Sequence, residues 1–272
     1  MSDQEQFVFF EKYFNAVNFH VLYHSYKKVD TSWHYLDFQY PFNRLYLVTQ
    51  ADGYIRYKNK TIELRPGWAY LTAADSVCDY VCRSHQTMLS LHFHLYLNSG
   101  LEILKSAASE FFYGALPDGI TMTDIAKQVS SGSFNDLIDL KGKLFTIIAG
   151  MIKINRRHLE KEQLIAGKYK NLFAVLNQTL RIDFPAEQAA QIMNSCYSGF
   201  AVQFKKDFGC PFKDYLSDRV MHRAKERLLF TNDKIRTIAY DLGFIDEFYF
   251  SRFFKKHENL PPSEYRKNNI MH

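Results

Sequence analysis

The spacing of hydrophobic residues divides the 272-residue chain into a strand-rich first part and a helical second part. Between residues 33 and 97, short apolar runs are separated by turn sequences such as Asp52-Gly53 and Pro66-Gly67. Asp-Gly favours a hairpin because glycine adopts positive φ at little cost. We predict strands over 44–50, 54–58, 61–65, 68–72, 77–82 and 88–97, and these would form a small antiparallel sandwich or barrel.

After Asn98-Ser99-Gly100, apolar residues recur at steps of three and four, as they do on one face of a helix. We predict helices over 101–112, 134–155 and 160–181, and only helices from there to the end. The helix over 134–155 carries one continuous apolar stripe, made of Leu137, Leu140, Leu144, Ile147, Met151 and Ile154. This stripe either pairs with a second subunit or packs on its own domain.

The last hundred residues contain an internal repeat. Six identical residues recur at a separation of 50 positions: Phe200 and Phe250, Phe204 and Phe254, Lys205 and Lys255, Lys206 and Lys256, Pro211 and Pro261, and Tyr215 and Tyr265. Because six coincidences at one separation rarely arise by chance, the region is a duplicated unit.

The second copy identifies the kind of unit. A short helix over 235–242 ends at Gly243, the residue type that most often closes a helix in the left-handed conformation. Asp246 is placed to cap the next helix, 247–257, which we expect to bury Phe250, Phe253 or Phe254, and His257. Two short helices joined by a glycine turn, the second one basic on one face, are typical of a helix-turn-helix. In the first copy the helices span 187–193 and 197–208, with Asn194 in the turn.

The second helix of each unit is expected to enter the major groove of double-stranded DNA, where its early exposed side chains reach base edges. The candidate base-reading residues are Glu247, Phe248, Ser251 and Arg252 in the second unit, and Tyr197, Ser198, Ala201 and Val202 in the first. The candidate contacts to the DNA backbone are Lys205, Lys206, Lys255, Lys256, Arg266 and Lys267. A helix over 212–230 joins the units and is about 29 Å long, close to the ~34 Å between successive major grooves.

Charge supports a polyanion partner. Residues 1–165 hold 17 Lys and Arg against 17 Asp and Glu, and residues 166–272 hold 17 against 12, so the net charge of +5 lies entirely in the second part. The N-terminus does not resemble a signal peptide, and no uncharged apolar run is long enough to span a membrane, so we expect a cytoplasmic protein. The four cysteines lack zinc-site spacing and are expected to be reduced and mostly buried, with a redox pair of Cys78 and Cys82 as the alternative.

Over about 184–268 the chain resembles the C-terminal signature of the AraC/XylS family of bacterial transcription regulators. The residues that carry this resemblance are Ile238-Ala239, Gly243-Phe244, Asp246, Tyr249-Phe250, Arg252, Phe254-Lys255-Lys256, Pro261-Pro262 and Tyr265-Arg266. Phe248 and Cys196 stand where the family usually has Ser, Asn259 stands where it usually has Gly, and Val202 stands where an Arg often reads a base. These departures leave the second unit intact and weaken base reading by the first.

Residues 33–97 resemble the cupin-like sensor barrel of the same family. The resemblance implies a homodimer whose barrel binds a small effector, often a sugar or related metabolite, and which contacts RNA polymerase if it is an activator. Strand alternation places polar and aromatic residues toward the barrel interior. The candidate effector-binding residues are Arg44, Tyr46, Trp33, His34, Trp68, Tyr70, His92 and His94.

His92 and His94 share a strand face and invite a metal site, but we find no further histidine and carboxylate to complete one, so no metal, cofactor or catalytic residue is predicted. We expect an α+β protein of two domains. Residues 1–100 form a small antiparallel cupin-like β-barrel with flanking helices, 101–165 a helical dimerisation and linker region, and 166–272 an all-α DNA-binding domain whose two helix-turn-helix units, at about 187–208 and 235–257, are joined by a long helix. The expected function is an effector-responsive transcription activator that binds specific DNA sequences. The alternatives are a cupin-type metalloenzyme with a DNA-binding tail and a regulator whose barrel binds no small ligand.

Overall fold

The structure is a computed structural model and describes residues 14, 16–97, 102–107, 109–154 and 156–269. Its contacts divide the chain into two compact units, Met1–Glu162 and Gln163–His272. No helix among the described residues is both long enough and apolar enough to cross a membrane.

The N-terminal unit is built from antiparallel strands. In chain order they are β1 (Val17–Asp30), β2 (His34–Gln39), β3 (Asn43–Gln50), β4 (Gly53–Tyr57), β5 (Lys60–Glu63), β6 (Trp68–Thr72), β7 (Val77–Cys82), β8 (His85–Leu97) and β9 (Phe111–Ala115). One sheet has the order β1-β8-β3-β6-β9 and the other the order β2-β7-β4-β5.

The two faces of the five-stranded sheet bury different sets of residues. On β3, Tyr46 and Val48 point toward the four-stranded sheet and pack with Ile55 and Tyr80. The alternate residues, such as Leu45, pack on the other face against two helices. These helices are α1 (Met122–Ser131) and α2 (Phe134–Met151). The predicted α+β class, with an antiparallel N-terminal region and a helical C-terminal domain, is confirmed.

Parts of the predicted N-terminal element order are wrong. The helix expected over 101–112 is replaced by a 3₁₀ turn (Ile103–Ser106) and strand β9, which pairs with β6. The aromatic run at 111–113 matches a helical apolar face in spacing, but aromatic residues also favour strands, and the free edge of β6 decides between them. Strand β1 lies outside the predicted 33–97 because it is an edge strand, exposed or half-buried along its length.

The C-terminal unit is helical. Helix α3 (Arg156–Lys168) begins before Gln163 and ends within this unit. The helices that follow are α4 (Lys170–Gln178), α5 (Ala186–Ile192), α6 (Tyr197–Phe208), α7 (Phe212–Phe230), α8 (Ile235–Asp241), α9 (Glu247–Glu258) and α10 (Pro262–Asn269). The single helix predicted over 160–181 is therefore two, with a break at Tyr169. That residue is buried, and its hydroxyl donates to Asp207 Oδ2 at 2.8 Å, which anchors the break.

Each copy of the sequence repeat forms a hydrophobic core of its own. The first core joins α4, α5 and α6 to the first half of α7, and its central residues are Leu172, Ala189, Phe200, Phe204 and Leu216. The second joins the rest of α7 to α8, α9 and α10, and its central residues are Val220, Ile238, Phe250, Phe254 and Tyr265. Helix α7 thus contributes one half of its length to each core.

Candidate nucleic-acid interface

The turn of the second helix-turn-helix is closed by Gly243, as predicted. Its φ is +83°, its N–H donates to the Tyr240 carbonyl at 3.0 Å, and the Phe244 N–H donates to the Ala239 carbonyl at 3.0 Å. This pair of hydrogen bonds is the Schellman arrangement that ends helices at a left-handed residue. A Cβ at Gly243 would lie 2.6 Å from Asp183 Oδ1, so glycine is required by space as well as by conformation.

Helix α9 begins with a side-chain cap and presents two distinct faces. Asp246 Oδ1 accepts the Tyr249 N–H at 2.6 Å, which satisfies one of the otherwise unpaired N–H groups of the first turn. Phe250 and Phe254 are fully buried, whereas Phe248 is 76% exposed. Arg252 is also exposed and has no ion-pair partner among the described residues, so its guanidinium is available to an incoming ligand.

The other candidate residues on α9 differ in their exposure to solvent. Glu247 and Ser251 are half-buried, and Lys255 and Lys256 are exposed. The expectation that His257 is buried is wrong, because its ring rests on the outer side of Phe253 with centroids 4.5 Å apart.

The first unit has the same architecture with a weaker start to its second helix. Asn194, which was predicted to stand in the turn, has the left-handed conformation (φ +51°). The turn between the helices is one residue shorter than in the second unit, and Cys196, at the N-cap of α6, makes no side-chain capping hydrogen bond. The outer face of α6 is apolar or uncharged at its N-terminal end, where Tyr197 and Val202 are exposed and Ala201 is half-buried. Ser198 is exposed there too, and Lys205 and Lys206 follow in the last turn.

Arg266 does not point toward a surface ligand. Its Nε donates to the Leu228 carbonyl at 3.0 Å, and its Nη2 is buried. The guanidinium therefore caps the C-terminal end of α7, where a cation is favoured by the helix dipole. Lys267, the neighbouring candidate, is exposed.

Three ion pairs, which the sequence did not predict, position α8 and α9 on helix α7. Lys225 of α7 is buried and its Nζ lies 2.6 Å from Glu258 Oε1 at the end of α9. Arg227 contacts Asp233 at 2.6 Å and Asp241 at 2.7 Å, and its hydrogen bond lowers the pKa of Asp233. The only sequence signal for these pairs was a charge on a helix face that is otherwise apolar.

The barrel candidates separate into a buried group and a peripheral group. Arg44, Tyr46, Tyr70 and His92 are buried, as is Trp33, whose ring meets Tyr46 and Tyr80 edge-on. His34 is exposed on β2, so the prediction that it lines the interior is wrong. It fails because alternation assigns Trp33, its immediate neighbour, to the inner side.

Tyr70, Trp68 and His94 contact other residues of the N-terminal unit. The Tyr70 hydroxyl accepts from the Arg65 N–H at 2.8 Å and donates to the Glu63 carbonyl at 3.1 Å. Trp68 is half-buried, and the Arg65 guanidinium lies 4.9 Å from its ring centroid. His94 Nδ1 lies 3.2 Å from Glu102 Oε2, on the residue that precedes the 3₁₀ turn. These contacts hold the barrel wall together.

The two histidines proposed as a metal pair have different surroundings. His92 sits opposite Arg44 in the sheet, and burial together with the charge of Arg44 holds the pKa of His92 well below its usual value of 6.5. A neighbouring guanidinium repels a metal cation as well as a proton. Among the described residues, no group of three or more His, Cys, Asp and Glu side chains is placed to hold a metal ion.

The cysteines offer little reactive thiolate in the barrel. Cys78 and Cys82 are buried on β7, and burial raises the pKa of both thiols. A raised pKa reduces the thiolate fraction, which opposes a redox role for this pair. Of the other two cysteines, Cys210 is half-buried and Cys196 is exposed.

The helix-turn-helix region is similar in sequence to known proteins. The family model described as a helix-turn-helix domain matches residues 190–268. The chain is 32% identical over 97 residues to a probable transcription factor, PqrA of Proteus vulgaris, and this match covers 35% of the chain and 75% of that relative. The chain belongs to the AraC/XylS family.

As a member of the AraC/XylS family, the protein is a DNA-binding transcription regulator. A relative that extends beyond the DNA-binding part is the lactose operon transcription activator of Staphylococcus xylosus, which is 22% identical over 233 residues and 82% of each chain. The crystal structure of ToxT from Vibrio cholerae covers 94% of this chain and 98% of its own, with a TM-score of 0.53 and 11% identity. That likeness establishes the two-part AraC/XylS fold.

In this AraC/XylS regulator, two further exposed cations occupy positions at which the other copy of the repeat has no cation. The sequence comparison of identical positions did not find them. Arg236 is exposed in the first turn of α8, where the equivalent position of α5 is Glu187. Lys213 is exposed in the first turn of α7, where the equivalent position of α10 is Ser263. Comparing the two copies position by position, rather than only at their identical residues, would have found both.

Proposed function

We propose that this regulator is an effector-responsive transcription activator that reads its operator chiefly through the second helix-turn-helix. The observation that carries the proposal is the outer face of α9, where Arg252 follows the capped first turn and is exposed, with no ion-pair partner in the part of the chain that the structure describes. A guanidinium in this position can give two hydrogen bonds to guanine, worth about 1–3 kcal/mol of discrimination between bases.

The neighbours of Arg252 complete a base-reading surface. Phe248 is exposed and suits a thymine methyl group, Ser251 can donate or accept, and Glu247 can accept from cytosine N4. On α6 the corresponding surface consists of Tyr197, Ser198, Ala201 and Val202, which offers apolar contact and few donors. We therefore assign sequence discrimination to the second unit, and affinity and register to the first.

Phosphate contacts surround both reading helices. We assign them to Lys205, Lys206, Lys255, Lys256 and Lys267, and add the exposed Arg236 and Lys213. The last two stand in the first turns of α8 and α7, and backbone N–H groups at helix N-termini also bind phosphate. We do not assign a phosphate contact to Arg266, because its guanidinium donates a hydrogen bond to the Leu228 carbonyl.

Operator recognition is tested by separating specific from general binding. Selection from a random oligonucleotide library with the full chain defines the preferred site, and titrations then compare that site with scrambled DNA. We expect Arg252→Ala to lower the ratio of specific to non-specific affinity by about 5- to 160-fold. Lys255→Ala, the matched control, should weaken both by similar factors and reduce the salt slope by about 1. Equal losses on both DNAs for Arg252→Ala would remove it as a base reader.

The barrel is the proposed effector site, and a sugar or related metabolite is the class suggested by the lactose operon relative. Support comes from the buried group of Arg44, Tyr46, Trp33 and His92, which combines aromatic faces with polar atoms. Tyr70, Trp68 and His94 shape its wall. Transcription from the selected site by purified RNA polymerase, with and without candidate sugars, tests both activation and the need for an effector.

We also propose that the regulator acts as a homodimer through the first turns of α2. The predicted stripe is divided: Leu144 and Ile147 pack on the sheet of their own unit, whereas Phe134, Leu137 and Ile138 are exposed at spacings of three and four. An exposed apolar stripe of this spacing suits the equivalent helix of a second copy. A monomer in sedimentation equilibrium at micromolar concentration would contradict this assignment.

A further inference from the structure

The barrel interior holds a positive charge without a counter-ion from the described chain. Arg44, on β3, is fully buried, and its Nη2 donates to the Ser76 carbonyl at a long distance of 3.3 Å. Nε and Nη1 are buried without a hydrogen-bond partner among the described residues. Together these two nitrogens carry three N–H groups that are able to donate.

What surrounds Arg44 is aromatic. Its guanidinium carbon lies 4.7 Å from the ring centroid of Tyr80 and 5.2 Å from that of Tyr40, and His92 pairs with it across the sheet. Aromatic faces attract a cation but leave its N–H donors unused. His92 cannot supply a negative charge, because an imidazole is either neutral or positively charged. Burial and the charge of Arg44 lower the pKa of His92, which favours its neutral form.

Among the described residues, a second buried cation has a partner of opposite charge. Lys225 in the C-terminal unit is paired with Glu258 at 2.6 Å. A buried charge without such a partner is strongly unfavourable, and one that persists at a binding site indicates a partner of opposite sign. Arg44 therefore calls for an anion delivered from outside the described part of the chain.

We propose that the effector of this regulator is a small organic acid whose carboxylate pairs with Arg44 inside the barrel. This inference rests on the proposed effector site and specifies the charge of its ligand. A planar carboxylate matches the guanidinium better than a sugar hydroxyl does, because the hydrogen bonds are charge-assisted. Tyr46, Tyr80 and Trp33 then contact the uncharged body of the ligand through their rings.

The test compares acids with their neutral analogues on the wild-type full-length chain. The pairs are galacturonate with galactose, gluconate with glucose and benzoate with benzamide, each titrated to about 20 mM at constant ionic strength. Thermal shift and tryptophan fluorescence report binding, since the Trp33 and Tyr46 ring centroids are 5.7 Å apart. We expect at least one acid to bind about tenfold or more tightly than its neutral partner.

Two variants tie the preference to Arg44. Arg44→Gln should abolish the difference between acid and neutral analogue. Gln86→Leu is the matched control, because Gln86 is also fully buried on β8, and its amide atoms also have no hydrogen-bond partner among the described residues. It should leave the acid preference unchanged. If Arg44→Gln does not fold, the comparison on the wild-type chain decides alone.

Two results overturn the inference. Neutral sugars that bind as tightly as the acids, or more tightly, refute the charge assignment and leave the proposed effector site standing. Failure of every acid to bind also refutes it. The proposed function fails by a different result: transcription from the selected site that no acid or neutral compound changes.

Discussion

Gly243→Ala tests how the two helix-turn-helix units are joined. Gly243 closes α8 with φ +83°, and a Cβ there would lie 2.8 Å from Arg181 Cβ as well as 2.6 Å from Asp183 Oδ1. The carboxylate can rotate away, but the Arg181 Cβ is held in place. It adjoins Ile182, whose N–H donates to the Leu242 carbonyl at 2.8 Å and so attaches the segment before α5 to the turn of the second unit.

The expected cost has two parts. A left-handed backbone costs alanine about 1–2 kcal/mol relative to glycine. Displacing a packed backbone segment adds about 1–3 kcal/mol, as other insertions of a methyl group into a filled space do. Gly209→Ala isolates the first part, because Gly209 has φ +76° and a Cβ there meets nothing within 4 Å. Gly243→Ala should therefore be the more destabilising substitution by about 1–3 kcal/mol.

Urea unfolding of the full-length chain followed by far-UV circular dichroism measures the difference. Both tryptophans, Trp33 and Trp68, lie in the N-terminal unit, so their fluorescence transition serves as an internal reference that neither substitution should move. Asp183→Ala combined with Gly243→Ala should recover only part of the loss, because the Arg181 contact remains. Equal destabilisation by Gly243→Ala and Gly209→Ala would show that the segment over 181–183 is not seated on the turn.

Three further predictions concern other contacts. Glu258→Gln leaves Lys225 buried without its counter-ion and should lower the free energy of unfolding by about 2–4 kcal/mol. The double variant Lys225→Met, Glu258→Leu should recover most of this loss. Equal losses for the two variants in urea titrations would contradict the role of the ion pair. Because the folded-state pKa of His92 is depressed, the unfolded chain binds more protons below about pH 6.5, so the melting temperature of the N-terminal unit should fall as pH drops from 7 to 5, and His92→Gln should flatten this dependence. Cys196→Ser supplies the capping oxygen that α6 lacks and should raise stability by about 0.5–1 kcal/mol, a gain that an unchanged urea midpoint would refute.

The DNA-binding part was largely predictable because its signals are local and occur twice. Phe200 and Phe250, and the lysine pairs after Phe204 and Phe254, specify the buried and exposed faces of both reading helices within a few turns of sequence. The same reasoning missed the single-residue difference between the two turns. That difference lies between the identical positions and appears only when the helix starts are placed.

The sensor part was less predictable because its strands depend on distant partners. β9 forms along the edge of β6, about forty residues away, and no local pattern distinguishes it from a helix. Arg44 was a candidate from its position in a strand, but its unpaired charge depends on which residues line the opposite sheet. The ion pairs of Lys225 and Arg227 were missed for the same reason, since each joins segments that meet only in the folded chain.

Helix α7 has a consequence for how the DNA-binding part comes apart. Leu216 belongs to the first core and Val220 to the second, so adjacent turns of one helix complete two different interiors. If one helix-turn-helix unit unfolds its half of α7, the hydrophobic core of the other unit is left incomplete. The two units therefore unfold together in a single cooperative step. A cavity at Phe204, in the first unit, would for this reason also reduce the fraction of molecules in which the second unit is folded.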